Sequence, residues 1–400
     1  MNTIQDAKIK DKKVLLKVDF NVPIKDGKIE GDKRIRESLP TIQYLLDKGV
    51  TQIIIITHLG KPQGKKDDKY SLYPVANKLA ELLSIDVNFS IPQDEYRLSD
   101  KIVMLENLRF NPGEEENSLE FAKELASQAD IFVNDAFGTM HRAHASTSGV
   151  AVVLPSYAGL LVQKEIEYLE KLLNSKEKPF TVILGGAKIT DKLPVIKNLM
   201  SKADNFLIGG AIANTFLAAR RHHMGKSKVE PDSFREANII WQNIMDEPDK
   251  NIFLPTDIVV SKAIEKPIDL KNIKVKELLN MDGIEEEMVV DIGPNTIQTF
   301  STQILQSKRI FWNGNMGVSE VSEFSEGDKM IAETITKSSA QVVIGGGDTV
   351  SAVEKILITN NLITNNIYLS TGGGATLEFL AGKELPGLKV LGYKCIGYML

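Results

Sequence analysis

The chain has 400 residues, of which 42% are hydrophobic and 25% charged, with a formal net charge of −5. That length suits two domains with full-sized cores, and the mildly acidic balance excludes nucleic acid or an anionic membrane as the default partner. Its single cysteine, Cys395, excludes an internal disulfide, the opening MNTIQDAKIKDKK lacks a signal-peptide core, and no run nears the ~18 apolar residues of a membrane span, so the expected location is the cytoplasm.

Short Val- and Ile-rich runs recur along the chain, at 14–18, 53–56, 102–105, 131–133, 182–184, 206–208, 288–290, 342–344 and 367–369. Most are continuous rather than alternating, as strands are when helices cover both faces of their sheet. Helical spacing fills the gaps, for example at 74–83, 119–126, 194–203 and 348–358. The pattern predicts an α/β protein of two doubly wound domains with mostly parallel sheets. One open sheet would not hold so many strands. A boundary is expected at 157–178, where Leu161, Ile166, Leu169, Leu172 and Leu173 keep a helical period with charge on the other face. The reading is a first domain at 1–156, a linking helix at 157–178, a second domain at 179–384 and a tail at 385–400.

Ligands of open α/β sheets bind at the carboxyl ends of the strands, so the residues after each run carry the information. In the second half these are glycines: Gly185-Gly186-Ala187-Lys188, Gly209-Gly210-Ala211, Asn313-Gly314-Asn315-Met316-Gly317, Gly345-Gly346-Gly347-Asp348-Thr349 and Gly372-Gly373-Gly374. Glycine admits close approach of a ligand to the backbone, and a following helix N-terminus favours anions. Five such loops at one sheet edge predict a cleft for a nucleotide. In the first half the corresponding positions carry charge and side-chain donors: Asp19 and Asn21, His58-Leu59-Gly60-Lys61, Arg109, and His141-Arg142-Ala143-His144, with Arg34 opening the first helical pattern. Arginine forks suit phosphate and carboxylate, so a compact site for a small polyanion is expected there.

The sequence has no GxxxxGK[ST] loop, no GxGxxG opening a helix after the first strand of either half, no zinc spacing and no GxSxG elbow. A dinucleotide oxidoreductase therefore lacks its motif. A non-catalytic binding protein built on the same fold remains an alternative.

The motifs DFNVP at 19–23, HLG at 58–60, ENLRF at 106–110, NDAFGTMHRAH at 134–144, GGAKITDK at 185–192, WNG at 312–314, GGGDT at 345–349 and STGGGAT at 370–376 resemble the phosphoglycerate kinase family. The resemblance implies two α/β domains joined by a helix and closing over their substrates. It also implies reversible phosphoryl transfer between ATP and 3-phosphoglycerate, giving ADP and 1,3-bisphosphoglycerate, with Mg²⁺, in a glycolytic monomer. By motif position it implies that Asp19, Asn21, Arg34, His58, Leu59, Gly60, Lys61, Arg109, His141 and Arg142 bind 3-phosphoglycerate. It implies that Lys188, Lys192, Gly209, Gly210, Gly293, Glu320, Gly345, Gly346, Gly347, Asp348 and Thr349 bind the nucleotide, with Asp348 contacting the metal. Arg34, Lys188, Gly372 and Gly373 would surround the transferred group. Since the attacking carboxylate is ionised at neutral pH, with a pKa of ~3.5–4, no general base is expected, and Asp19 would accept from the substrate hydroxyl.

The chain departs from the family's pattern at Lys61, where Arg is usual, at Asn315 and Ser319, where Pro and Phe are usual, and at Ala211, where Gly is common. The apolar tail at 390–400 runs past the usual end and suits either packing on the first domain or self-association.

Overall fold

The computed structural model describes residues 1–279, 284–359 and 364–394. The chain divides into two compact units, Met1–Glu167 with 383–394, and Tyr168–Gly382.

The first unit is built on strands β1 (Lys13–Lys17), β4 (Gln52–Ile56), β5 (Glu95–Arg97), β6 (Ile102–Leu105), β7 (Ile131–Asn134) and β8 (Ser156–Ala158), with a separate hairpin of β2 (Ile24–Lys25) and β3 (Lys28–Ile29). The sheet order is β5-β6-β4-β1-β7-β8, and only the edge strand β5 runs antiparallel to its neighbour. Side chains alternate faces along a strand, so Ile53 and Ile55 join one core with Val14 and Leu16, while Ile54 and Ile56 join another with Leu15 and Phe132. Both faces are apolar, which is why these strands read as continuous runs. The chain steps outward from β1 to β4 and β6, then returns to β7 and β8 on the other side of β1. The order therefore reverses between β1 and β7, the position at which open α/β sheets bind their ligands.

The second unit repeats this logic with β9 (Phe180–Leu184), β10 (Asn205–Ile208), β11 (Asn251–Phe253), β15 (Arg309–Asn313), β16 (Gln341–Gly345) and β17 (Ile367–Leu369). The order is β11-β10-β9-β15-β16-β17, all parallel, with the reversal between β9 and β15. A second, three-stranded antiparallel sheet of β12 (Asp257–Ser261), β13 (Lys271–Lys274) and β14 (Met288–Ile292) is inserted between β11 and β15. This corrects the reading of 288–290 as another strand of the parallel sheet: a short apolar run looks alike in either setting.

The segment at 157–178 is also redrawn. Tyr157 lies in β8, and the helix spans Leu160–Asn174. It begins there because Asp135 Oδ1 accepts the Leu161 N–H at 2.9 Å and Thr41 Oγ1 accepts the Leu160 N–H at 3.0 Å, satisfying donors that a helix start leaves unpaired. The division between units falls inside this helix, and Lys383 and Glu384 belong with the first unit rather than the second. Further along, the Asn2 N–H donates to the Leu391 carbonyl at 2.8 Å and the Gly387 N–H to the Met140 carbonyl at 2.9 Å, with Leu388 and Leu391 buried. The last part of the tail, 395–400, lies outside the described residues. Among the described residues no helix is long and apolar enough to cross a membrane.

Candidate active site

In the first unit the loops after β1, β4, β6 and β7 are tied to one another by side chains. Gly60 is the hub. Its N–H donates to Asn21 Oδ1 at 2.9 Å, and its carbonyl accepts from Arg109 Nη1 at 2.6 Å. It sits at φ +61°, and a Cβ there would come within 2.3 Å of the Tyr70 ring, so no other residue fits without displacement. Asn107 braces the same loop, accepting the Leu59 N–H at 3.2 Å and donating to the carbonyls of Leu59 and Tyr70 at 2.8 and 2.9 Å. Arg34, in the first turn of the helix Lys33–Asp47, donates through Nη1 to Asp19 Oδ2 at 2.7 Å and to the Asn21 carbonyl at 3.3 Å. Arg142 Nε lies 3.2 Å from His141 Nε2, and Lys61 is exposed at the rim.

The electrostatics show how closely these groups gather. His58 is buried, and burial first, then the charges of Lys17, Arg109, Arg34 and Arg142, holds its imidazole well below the ordinary range. It is therefore neutral at physiological pH. Burial likewise lowers Arg109, with the Arg142 charge adding to it against Glu115. Beneath the cluster lies a cation the sequence reading passed over: Lys17, in the middle of an apolar run, is 1% exposed and 3.9 Å from Glu114. Burial would raise the Glu114 carboxyl, but His144, Lys17 and Ser146 together bring it down to about 2. Arg109 Nη2 is buried and has no hydrogen-bond partner. Buried charged donors are otherwise almost always satisfied, which sets this one apart.

In the second unit a cavity of about 690 Å³ opens at the β9/β15 reversal. Lys188, Lys192, Gly210, Glu320, Gly346, Gly347, Asp348 and Thr349 line it. Lys192 Nζ donates to Asn313 Oδ1, and Asn313 Nδ2 donates to the Gly345 carbonyl at 2.7 Å. Burial lowers the Lys192 ammonium to about 8, against the opposing charges of Asp191 and Asp348. Thr349 Oγ1 accepts the Gly314 N–H at 2.8 Å, tying the β15 and β16 loops together. Glu230 fixes the β9 loop by accepting the N–H groups of Ile189 and Thr190 at 2.9 and 3.1 Å.

Five expected residues lie off the cavity wall: Gly209, Gly293, Gly345, Gly372 and Gly373. At two of them the missing side chain serves packing. A Cβ on Gly209 would meet Met316 Sδ at 2.5 Å, and one on Gly293 would meet the Asp257 carboxyl at 2.3 Å. The Gly372 N–H donates to Ser370 Oγ at 3.1 Å and so is already engaged. Gly373 opens the helix Gly374–Leu380 at φ +53°. At Gly314, φ +93°, a Cβ would lie 2.0 Å from the Gly185 carbonyl oxygen: much of the glycine signal reports loops packed on one another rather than backbone approaching a ligand. The sequence reading also missed the apolar wall made by Met288, Val289 and Val290 of β14, because it assigned that run to the parallel sheet.

The chain matches the Phosphoglycerate kinase family over residues 4–383. It is 48% identical over 399 residues to the phosphoglycerate kinase of Dictyoglomus turgidum, covering 97% of each chain. It is 44% identical to that of Rubrobacter xylanophilus, again with 97% of each covered. The phosphoglycerate kinase structure from Coxiella burnetii aligns with a TM-score of 0.82 at 36% identity, and that from Pyrococcus horikoshii with 0.81 at 33%, each over 98% of both chains. The chain belongs to the phosphoglycerate kinase family. It is thus a kinase.

Proposed function

We propose that this chain transfers a phosphoryl group reversibly between ATP and 3-phosphoglycerate in glycolysis, holding the acid with the first unit and the nucleotide with the second. The observation that carries the reading is the pairing of unlike sites: buried, partly unpartnered guanidinium donors in one unit, and a cavity of about 690 Å³ edged by lysines and glycine backbone in the other. Arg109, Arg142 and Arg34 bind the phosphate and carboxylate of the acid. His58, neutral, adds a hydrogen bond rather than a charge, and Asp19 accepts from the substrate hydroxyl. Lys192 and the loop 345–349 hold the nucleotide phosphates.

The acceptor is a carboxylate, already ionised near neutrality, so no residue has to remove a proton. What the protein supplies is position and charge stabilisation. Arg34 and Lys188 spread the charge that builds on the moving phosphoryl oxygens. Asp348, an exposed carboxylate on the cavity wall, fits Mg²⁺, which typically takes one or two carboxylates and draws its other ligands from phosphate and water. Bound with the nucleotide, the metal neutralises phosphate charge.

The test is a coupled assay with 3-phosphoglycerate, ATP and Mg²⁺, following the acyl phosphate by its reduction with NADH. Saturable turnover on the order of 10–10³ s⁻¹ supports the reading. A folded protein that binds ADP but does not turn over would leave a nucleotide-binding protein without this activity.

A further inference from the structure

We propose that Asp328 is a positioning residue for nucleotide binding: through Ser319 and the Met316 N–H it holds the loop 314–320 so that Glu320 stands on the cavity wall. This rests on the reading of that cavity as the nucleotide site.

The loop leaves β15 and crosses the cavity. Its inner end is anchored by backbone: the Gly186 N–H donates to the Asn315 carbonyl at 2.8 Å and the Gly210 N–H to the Met316 carbonyl at 3.0 Å. The Val318 N–H donates to the Val290 carbonyl at 2.9 Å. Between these anchors and the exposed Glu320, the side-chain tether comes from Asp328, in the first turn of the helix Glu326–Lys337. Asp328 is 1% exposed. Its Oδ1 accepts the Met316 N–H at 2.7 Å, and its Oδ2 accepts from the Ser319 hydroxyl. The residue next in the chain after Ser319 is Glu320, so the hydroxyl is the last side-chain fastening before the carboxylate that lines the cavity. Ser319 stands where the family usually has Phe, and an aromatic ring could not make this bond. Asp291 supports the same helix turn from behind, accepting the Gly327 N–H at 2.8 Å and the Ile292 N–H at 2.8 Å. The Asp328 carboxyl is thus a fixed post, and Ser319 is what the loop ties to it.

Because Asp328 is buried, its truncation endangers the fold, and Ser319 carries the test. In the purified full chain, Ser319→Ala is expected to raise the KM for ATP roughly fivefold, the effect of one lost hydrogen bond. The kcat and the KM for 3-phosphoglycerate should stay within about twofold, and Ser319→Thr, which keeps the hydroxyl, should restore the ATP value. In a Glu320→Gln background the same Ser319→Ala change should cost less than about twofold, since the tether acts through Glu320. An unchanged ATP KM, a parallel rise for both substrates, no rescue by Thr, or an equal effect in both backgrounds overturns the proposal. ADP titrated calorimetrically into Lys192→Ala separates the two readings. If that variant binds ADP as well as wild type, the cavity is not the nucleotide site and both fall. If it binds weakly while Ser319→Ala binds normally, the positioning role alone is wrong.

Discussion

The two units share a winding and differ in what they hang on it. Each sheet reverses its order beside the first strand of the unit, and each gathers its candidate ligand groups at that reversal. The first unit joins its loops by side chains: Asn21 and Arg109 reach across to Gly60, and Asn107 to its neighbour Leu59. The second adds backbone joints to its side-chain ties, with glycines clearing the way and the Gly186 and Gly210 N–H groups meeting the Asn315 and Met316 carbonyls directly. The difference matches the ligands proposed for the two sites. A small polyanion offers mostly charge, and a site for it must bring several cations together, which takes side chains. A nucleotide needs room and hydrogen bonds along an extended surface, which backbone supplies without filling the space.

The comparison breaks most sharply if the charges are not what matters. Arg34→Ala in the first unit or Lys188→Ala in the second is expected to lower kcat by at least ~10²-fold, as losing one charge-stabilising donor does. Near-normal kcat in the coupled assay for either variant removes that residue from the chemistry.

The cost of gathering cations is tested at Glu114. Its carboxyl, held at about 2 in the folded protein, contributes stability that is present above the unfolded value and lost as pH falls from about 4.5 through 2. Glu114→Gln strands the buried Lys17 and should cost about 3 kcal/mol near neutrality. Chemical denaturation across that acid range should show a steep loss for wild type and a shallow one for the variant.

The backbone-built site is tested at Gly314. Gly314→Ala forces a side chain into a left-handed conformation 2.0 Å from a carbonyl oxygen, and a loss of about 2 kcal/mol is expected. ADP affinity should fall with it, because the β9 and β15 loops must part. Stability and affinity both at wild-type values would mean that the loops tolerate separation.

The smallest effect is expected at Asp291, where burial lifts the carboxyl to about 7 against the Gly327 and Ile292 N–H groups, with the charges of Asp328 and Glu326 adding to the rise. A raised folded pKa makes stability fall as pH rises from about 4 through 7, the reverse of Glu114. Asp291→Asn should flatten that fall and cost about 1 kcal/mol at about pH 3, where the wild-type carboxyl is also uncharged, because an amide nitrogen cannot accept the N–H that the second carboxyl oxygen accepts. A slope equal to wild type would move the titration elsewhere, to Asp328 or to Asp135, which burial also raises, to about 6 and about 7.

Much of this arrangement was legible in one dimension. Continuous Val and Ile runs declare strands buried on both faces, and residues following such runs lie at a sheet's ligand-binding edge, so Arg34, His58, Arg109, Lys188 and Asp348 could be named from local pattern and motif. Alternation along a strand and the order of strand and helix are short-range properties, and the sequence alone determined them. Three things were decided only by tertiary structure. The run at 288–290 became an antiparallel wall of the cavity because its partners lie 27 or more residues back, in β12, where Ser261 faces Met288 and Val260 faces Val289. Lys17 became a buried cation beside Glu114 because the strand Lys13–Lys17 and the short helix Pro112–Glu115 meet across 97 residues of chain, from 17 to 114. Several glycines proved to be clearances between loops, since what a missing Cβ makes room for depends on the neighbour that packs there. Short-range order is written in adjacent residues; burial and contact are properties of pairs far apart in the chain, and only folding brings them together.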